Sequence, residues 1–170
     1  MKYALFLFLI SAGPVHAQKM FPCSCKGFVD KQYPGSIAIL DSPNGKLLKN
    51  ARHDLKNRDY LVYSIDKVAD SFYHVKMQHA IAGKPVEGWI KKSKYLVTYL
   101  NRRDSMVTLY SEPNAVSKIK TVIPGGTPAL FQIFNCTKNW IYIRKISGIP
   151  RLEGWLAAKN QCADPGGICD

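Results

Sequence analysis

Cys23, Cys25, Cys136, Cys162 and Cys169 are the residues of this 170-residue chain best equipped for covalent chemistry. A thiolate is both a nucleophile and a metal ligand. None of the five sits in the C-x-x-C knuckle that structural zinc sites favour. His53, His74 and His79 show neither H-x-H nor H-E-x-x-H spacing. A cysteine–histidine nucleophilic pair, such as Cys136 with His74, would require a thiol that stays reduced beside its base. There is no G-x-S-x-G, no phosphate-cradling glycine loop and no carboxylate pair in a recognisable setting. The residue types therefore point away from catalysis: no catalytic residue, no metal site and no cofactor is expected.

The fate of the cysteines depends on compartment. Residues 1–17 read as a secretory signal peptide: one lysine, an apolar run from Tyr3 to Ala12, a Gly-Pro break, then Val15-His16-Ala17 at the cleavage point. The run is too short to span a bilayer, which takes about 20 residues, and no other segment is long enough. The expectation is an exported protein, periplasmic or extracellular, with no transmembrane anchor. Export favours disulfides over metal ligation. Cys23 and Cys25 are expected to point apart and not to pair with each other. The expected bridges join Cys136 to Cys162, and Cys23 or Cys25 to Cys169, leaving one thiol over because five is odd.

Formal charge is +12, with basic clusters at Lys91, Lys92, Lys94 and at Arg102, Arg103. Such a surface attracts anionic envelope polymers, lipid headgroups or an acidic protein. Export argues against nucleic acid as the partner.

The elements that position these residues repeat. "ILDSPNG" (Ile39–Gly45), "DYLVYSI" (Asp59–Ile65), "FYHVK" (Phe72–Lys76) and "EGWI" (Glu87–Ile90) are followed, in the same order, by four counterparts. These are "LYSEPNA" (Leu109–Ala115), "TPALFQI" (Thr127–Ile133), "WIYIR" (Trp140–Arg144) and "EGWL" (Glu153–Leu156). Four ordered landmarks indicate two units, at 37–100 and 105–164, joined by the short link Asn101–Asp104. They leave an N-terminal segment, 18–36, and a tail, 165–170. The runs are short, rich in Val, Ile, Tyr and Phe, and punctuated by Pro, Gly and Asn, so each unit is expected to be all-β. Many short strands in few residues suggest small, highly curved barrels that close to hide their edges.

Parity sorts the aromatic residues. In "WIYIR", Ile143 belongs to the core face, which puts Trp140, Tyr142 and Arg144 on the other. In "EGWL" and "EGWI" the glycine allows close backbone approach, and Trp89 and Trp155 are expected to pack. The turn Pro124-Gly125-Gly126-Thr127 before an apolar strand, then W-x-x-[VI], then G-W-[IVL], resembles the bacterial-type SH3-like domain, here in tandem. The second copy follows that pattern more closely. In the first, Phe72 replaces the tryptophan and "LKNRDYLVYSI" lacks the Pro-Gly-Gly turn. The resemblance implies two SH3-like β-barrels and a non-enzymatic binding protein. Its expected ligand is peptidoglycan or another cell-envelope component, met by Trp140, Tyr142, Arg144 and Tyr110. The alternative from another class is a periplasmic immunity or inhibitor protein that blocks a toxin or hydrolase, its basic surface suiting an acidic cleft.

Overall fold

The computed structural model describes residues 19–100, 106–124, 129–148 and 151–166. The expected signal peptide, the link Asn101–Asp104, the turn residues Gly125–Thr127 and Cys169 lie outside the described residues.

The described chain is all-β, and its one helical element is a three-residue 3-10 turn at Ala158–Asn160. No helix of the described residues is long and apolar enough to cross a membrane. In chain order the strands are β1 (Met20–Val29), β2 (Ile37–Leu40), β3 (Leu47–Ala51), β4 (Leu61–Ala69), β5 (Phe72–His79), β6 (Val86–Lys91) and β7 (Leu96–Leu100). They continue as β8 (Met106–Tyr110), β9 (Ile119–Pro124), β10 (Phe131–Thr137), β11 (Trp140–Lys145), β12 (Glu153–Ala157) and β13 (Gln161–Cys162).

All of them join one antiparallel sheet, ordered β3-β2-β6-β5-β4-β1-β7-β10-β11-β12-β8-β9, with β13 paired to β7 off this path. Read inward from either end, the succession is the same. A hairpin, β2–β3 or β8–β9, meets the glycine-tryptophan strand β6 or β12, then β5 or β11, then β4 or β10. The registers agree as well. Leu40 faces Trp89 as Tyr110 faces Trp155, and His74 faces Trp89 as Tyr142 faces Trp155. A bulge falls after Ile65 in β4 and after Ile133 in β10. The ladder is not closed into the barrels expected from strand density: β3 and β9 are its two free ends.

The glycines of the two tetrapeptides follow from this geometry. A Cβ on Gly88 would lie 2.6 Å from the Leu40 carbonyl oxygen, and one on Gly154 would lie 3.0 Å from that of Tyr110. The hairpin strand passes too close for a side chain. Ile90 and Leu156 beside them point inward and are fully buried.

The centre of the sheet is what the two-unit division leaves out. β1 comes from the segment 18–36, and it is the longest strand. It pairs with β4 from Met20 to Phe28 and with β7 through Phe28 and Val29. Both of the latter are completely buried, each contributing about 1.5–3 kcal/mol of burial free energy. One contiguous core then runs under both halves, from Val75 and Ile90 to Ile143 and Leu156.

Candidate ligand-binding face

On β11, buried Ile141 and Ile143 alternate with half-buried Trp140, Tyr142 and Arg144, so parity places these three on the outer face. The ladder sets β12 beside them, with Tyr142 opposite Trp155 and Arg144 opposite Glu153. β8 adds Tyr110, opposite Trp155. Tyr110 thus ends a strand. The rings meet edge to face: Tyr110 and Trp140 at 5.5 Å between centroids, Tyr142 and Trp155 at 5.5 Å. Such offset contacts hold the rings in place while leaving their surfaces partly open to solvent.

A charged cluster borders the rings. The Arg144 Nε donates to Glu153 Oε2 at 2.7 Å. Arg151 Nε lies 3.4 Å from the same oxygen, and Lys120 Nζ 3.8 Å from Oε1. The hydrogen bond from Arg144, with the three positive charges around it, holds the Glu153 carboxyl below the usual carboxylate range. The Arg144 guanidinium also lies 4.3 Å from the centroid of the Phe134 ring. Glu153 and Phe134 thus already engage Arg144, one of the residues expected to meet the ligand. Lys120 and Arg151, with side chains 37% and 66% exposed, are the freer cations. They line a shallow cleft of about 370 Å³ with Thr121, Leu152 and Glu153. Three cations around one carboxylate leave a surplus of positive charge. Flat rings beside that surplus can stack on sugar rings or an extended peptide and draw in an anionic group.

Trp155, Glu153, Lys120 and Phe134 belong to this face and were missed. The sequence expects Trp155 to pack, as a large ring behind a close-approach glycine, and only the pairing register shows it beside Tyr142. Phe134 is the bulged residue of β10, which a strict alternation of faces does not place.

The first half builds the same face and closes it. Phe72 and Trp89 are 5% and 7% exposed and pack with Ala69, with Leu40 covering them where Tyr110 stands in the second half. Asp66 occupies the bulge and meets His74 Nδ1 at 2.6 Å. Asp66, His74 and Glu87 have donor atoms within 4.8 Å of one another, and His74 also lies edge-on to Trp89 at 5.0 Å.

The cysteine pairing differs from the one expected. Cys23 is bonded to Cys136, their Cα atoms 5.7 Å apart, within the usual range for a bridge. Cys136 therefore does not pair with Cys162, which is itself disulfide-bonded. Nor is Cys136 a nucleophile for His74. Cys25 is a free, buried thiol, so neither it nor Cys23 is bridged to Cys169. Cys23 and Cys25 do not point apart either. Residues two apart on a strand share a face, and both are buried on the side of Cys136. The two do not bond to each other.

No family model matches the chain, and no curated protein does.

Proposed function

We propose that this is an exported, non-catalytic binding protein whose second half recognises a cell-envelope ligand such as peptidoglycan, and that its two halves are tandem SH3-like units fused through a shared sheet. The observation that carries the binding reading is the open patch of Tyr110, Trp140, Tyr142 and Trp155 beside the cations of Lys120, Arg144 and Arg151. Four ordered rings on an outer sheet face contribute little to the core, while rings of this kind are well suited to stacking with a ligand. The unit reading is supported by the repeated strand succession and the shared bulge. The experiment is co-sedimentation of the protein with purified sacculi at low and high salt. Retention at both, weakened at least tenfold by Trp140→Ala, is expected. No retention of the wild type at low salt overturns the envelope reading and turns the search toward an acidic protein partner.

A further inference from the structure

Cys25 is left without a disulfide, yet it packs against one. Its Sγ lies 2.8 Å from Cys136 Sγ, and the sulfur atoms of Cys23, Cys25 and Cys136 all fall within 4.8 Å of one another. The cause is local. Cys23 and Cys25 share a face of β1, and the turn between β10 and β11 is clasped onto the strand between them. The Ser24 amide donates to the Lys138 carbonyl at 2.6 Å, and the Lys138 amide to that of Pro22 at 2.9 Å. The backbone thus presents two cysteines to one partner sulfur.

We propose that Cys23, Cys25 and Cys136 form a thiol–disulfide exchange centre in which Cys136 is the common partner of two alternative bridges. In the forward step the Cys25 thiolate attacks Cys136 Sγ. The Cys25–Cys136 bond forms, the Cys23–Cys136 bond breaks, and the electron pair leaves on Cys23. The proton lost by Cys25 passes to water, and Cys23 takes one back. Nothing is oxidised or reduced overall, so no outside oxidant is required. Exchange moves the bridge from one side of Ser24 to the other, beneath the turn that leads into Trp140. Cys25 already contacts that residue, its Sγ lying 3.6 Å from the Trp140 carbonyl oxygen.

A cleft of about 490 Å³, lined among others by Cys23, Ser24, Cys25, Asp66 and Gln161, borders the buried Cys23 and Cys25. The groups that face Cys25 set its rate. Burial pushes its thiol up to about 12, opposed by the Ser24 backbone and the Gln161 side chain. Tyr63 of β4 and Tyr73 of β5 face it as buried phenols held well above their ordinary range. Asp66 and Lys26 are the charged groups that line the cleft. The thiolate is therefore scarce at neutral pH, and exchange speeds up about tenfold per pH unit below the thiol pKa.

The test uses the oxidised full-length protein held at about pH 7 and about pH 9.5 for a time course. Samples are quenched in acid, unfolded and alkylated with N-ethylmaleimide. Fragmentation of the linked peptides then locates the label. The expected result is label on both Cys23 and Cys25, with the Cys23 share rising faster at the higher pH. Label confined to Cys25 at both pH values overturns the proposal. Cys23→Ser, refolded with oxidised glutathione, is expected to form the Cys25–Cys136 bridge. Two alkylatable thiols in that folded variant also overturn it, and if the variant fails to fold, the wild-type mapping decides alone.

Discussion

Glu153 shows how a residue's role depends on neighbours that sequence spacing does not reveal. Alternation along "WIYIR" placed Trp140, Tyr142 and Arg144 on one face correctly, because parity is a property of the strand itself. That Arg144 is bonded to Glu153 depends on the register of β11 against β12, which no local pattern carries. The same bond sets a pH signature. The folded-state pKa of Glu153 is lowered from its ordinary value of 4.5. A lowered carboxylate pKa adds stability that is full above the unfolded value and lost as pH falls through the folded one. The site is partly exposed, so the contribution is that of a surface ion pair, about 0.2–1 kcal/mol. Glu153→Gln is therefore expected to unfold at slightly lower urea than wild type at about pH 7, with the difference narrowing as pH is lowered to about 3. Urea midpoints at the two pH values measure it. A gap that persists unchanged in acid would mean that packing, not charge, is what Glu153 supplies.

At the scale of elements, the strands of the repeated landmarks were legible and the central one was not. "FYHVK" and "WIYIR" show β-branched and aromatic runs bounded by turn residues, and they form β5 and β11. "MFPCSCKGFV" lies outside both repeated units and holds a proline, a glycine and three small polar or thiol residues, a poor composition for a central strand. It becomes one because β4 and β7 lie on either side of it and because Cys23 fastens it to β10. These are long-range contacts without local trace. The consequence is that residues 37–164, the two units by sequence repeat, do not make a stable pair without β1. Removing β1 uncovers the ladder edges of β4 and β7, removes the Cys23–Cys136 bridge, and leaves Tyr99 without the Phe28 ring 5.1 Å away. A 37–164 fragment is expected to lack a cooperative thermal transition and near-ultraviolet dichroism, while residues 18–170 show both. In the whole protein, Phe28→Ala is expected to cost about 3–5 kcal/mol in urea unfolding. A cooperative transition in the fragment would remove β1 from the role of keystone.

For the molecule as a whole, one succession of strands occurs twice and ends in two different surfaces. The repeat was legible because "FYHVK" and "WIYIR", like "EGWI" and "EGWL", each lie within a single strand. The open sheet was not, because closure depends on how the ends of the ladder meet. The difference between the halves comes down to a few substitutions at equivalent places: Leu40 for Tyr110, Phe72 for Trp140, His74 for Tyr142 and Asp66 for Phe134. In the first half the smaller Leu40 and Phe72 close over Trp89 and bury it. In the second, Tyr110 and Trp140 turn edge to face and leave Trp155 half-buried beside Tyr142. The two tryptophans of the shared tetrapeptide should therefore fail in opposite ways. Trp89→Ala removes a buried ring and is expected to cost about 3–5 kcal/mol, with sacculus binding by the folded fraction unchanged. Trp155→Ala is expected to lower stability by no more than about 1 kcal/mol and to weaken binding at least tenfold. Urea unfolding and co-sedimentation on the same two variants decide the matter. If both variants lose stability alike and neither loses binding, the second face is cover for the sheet and the binding surface lies elsewhere.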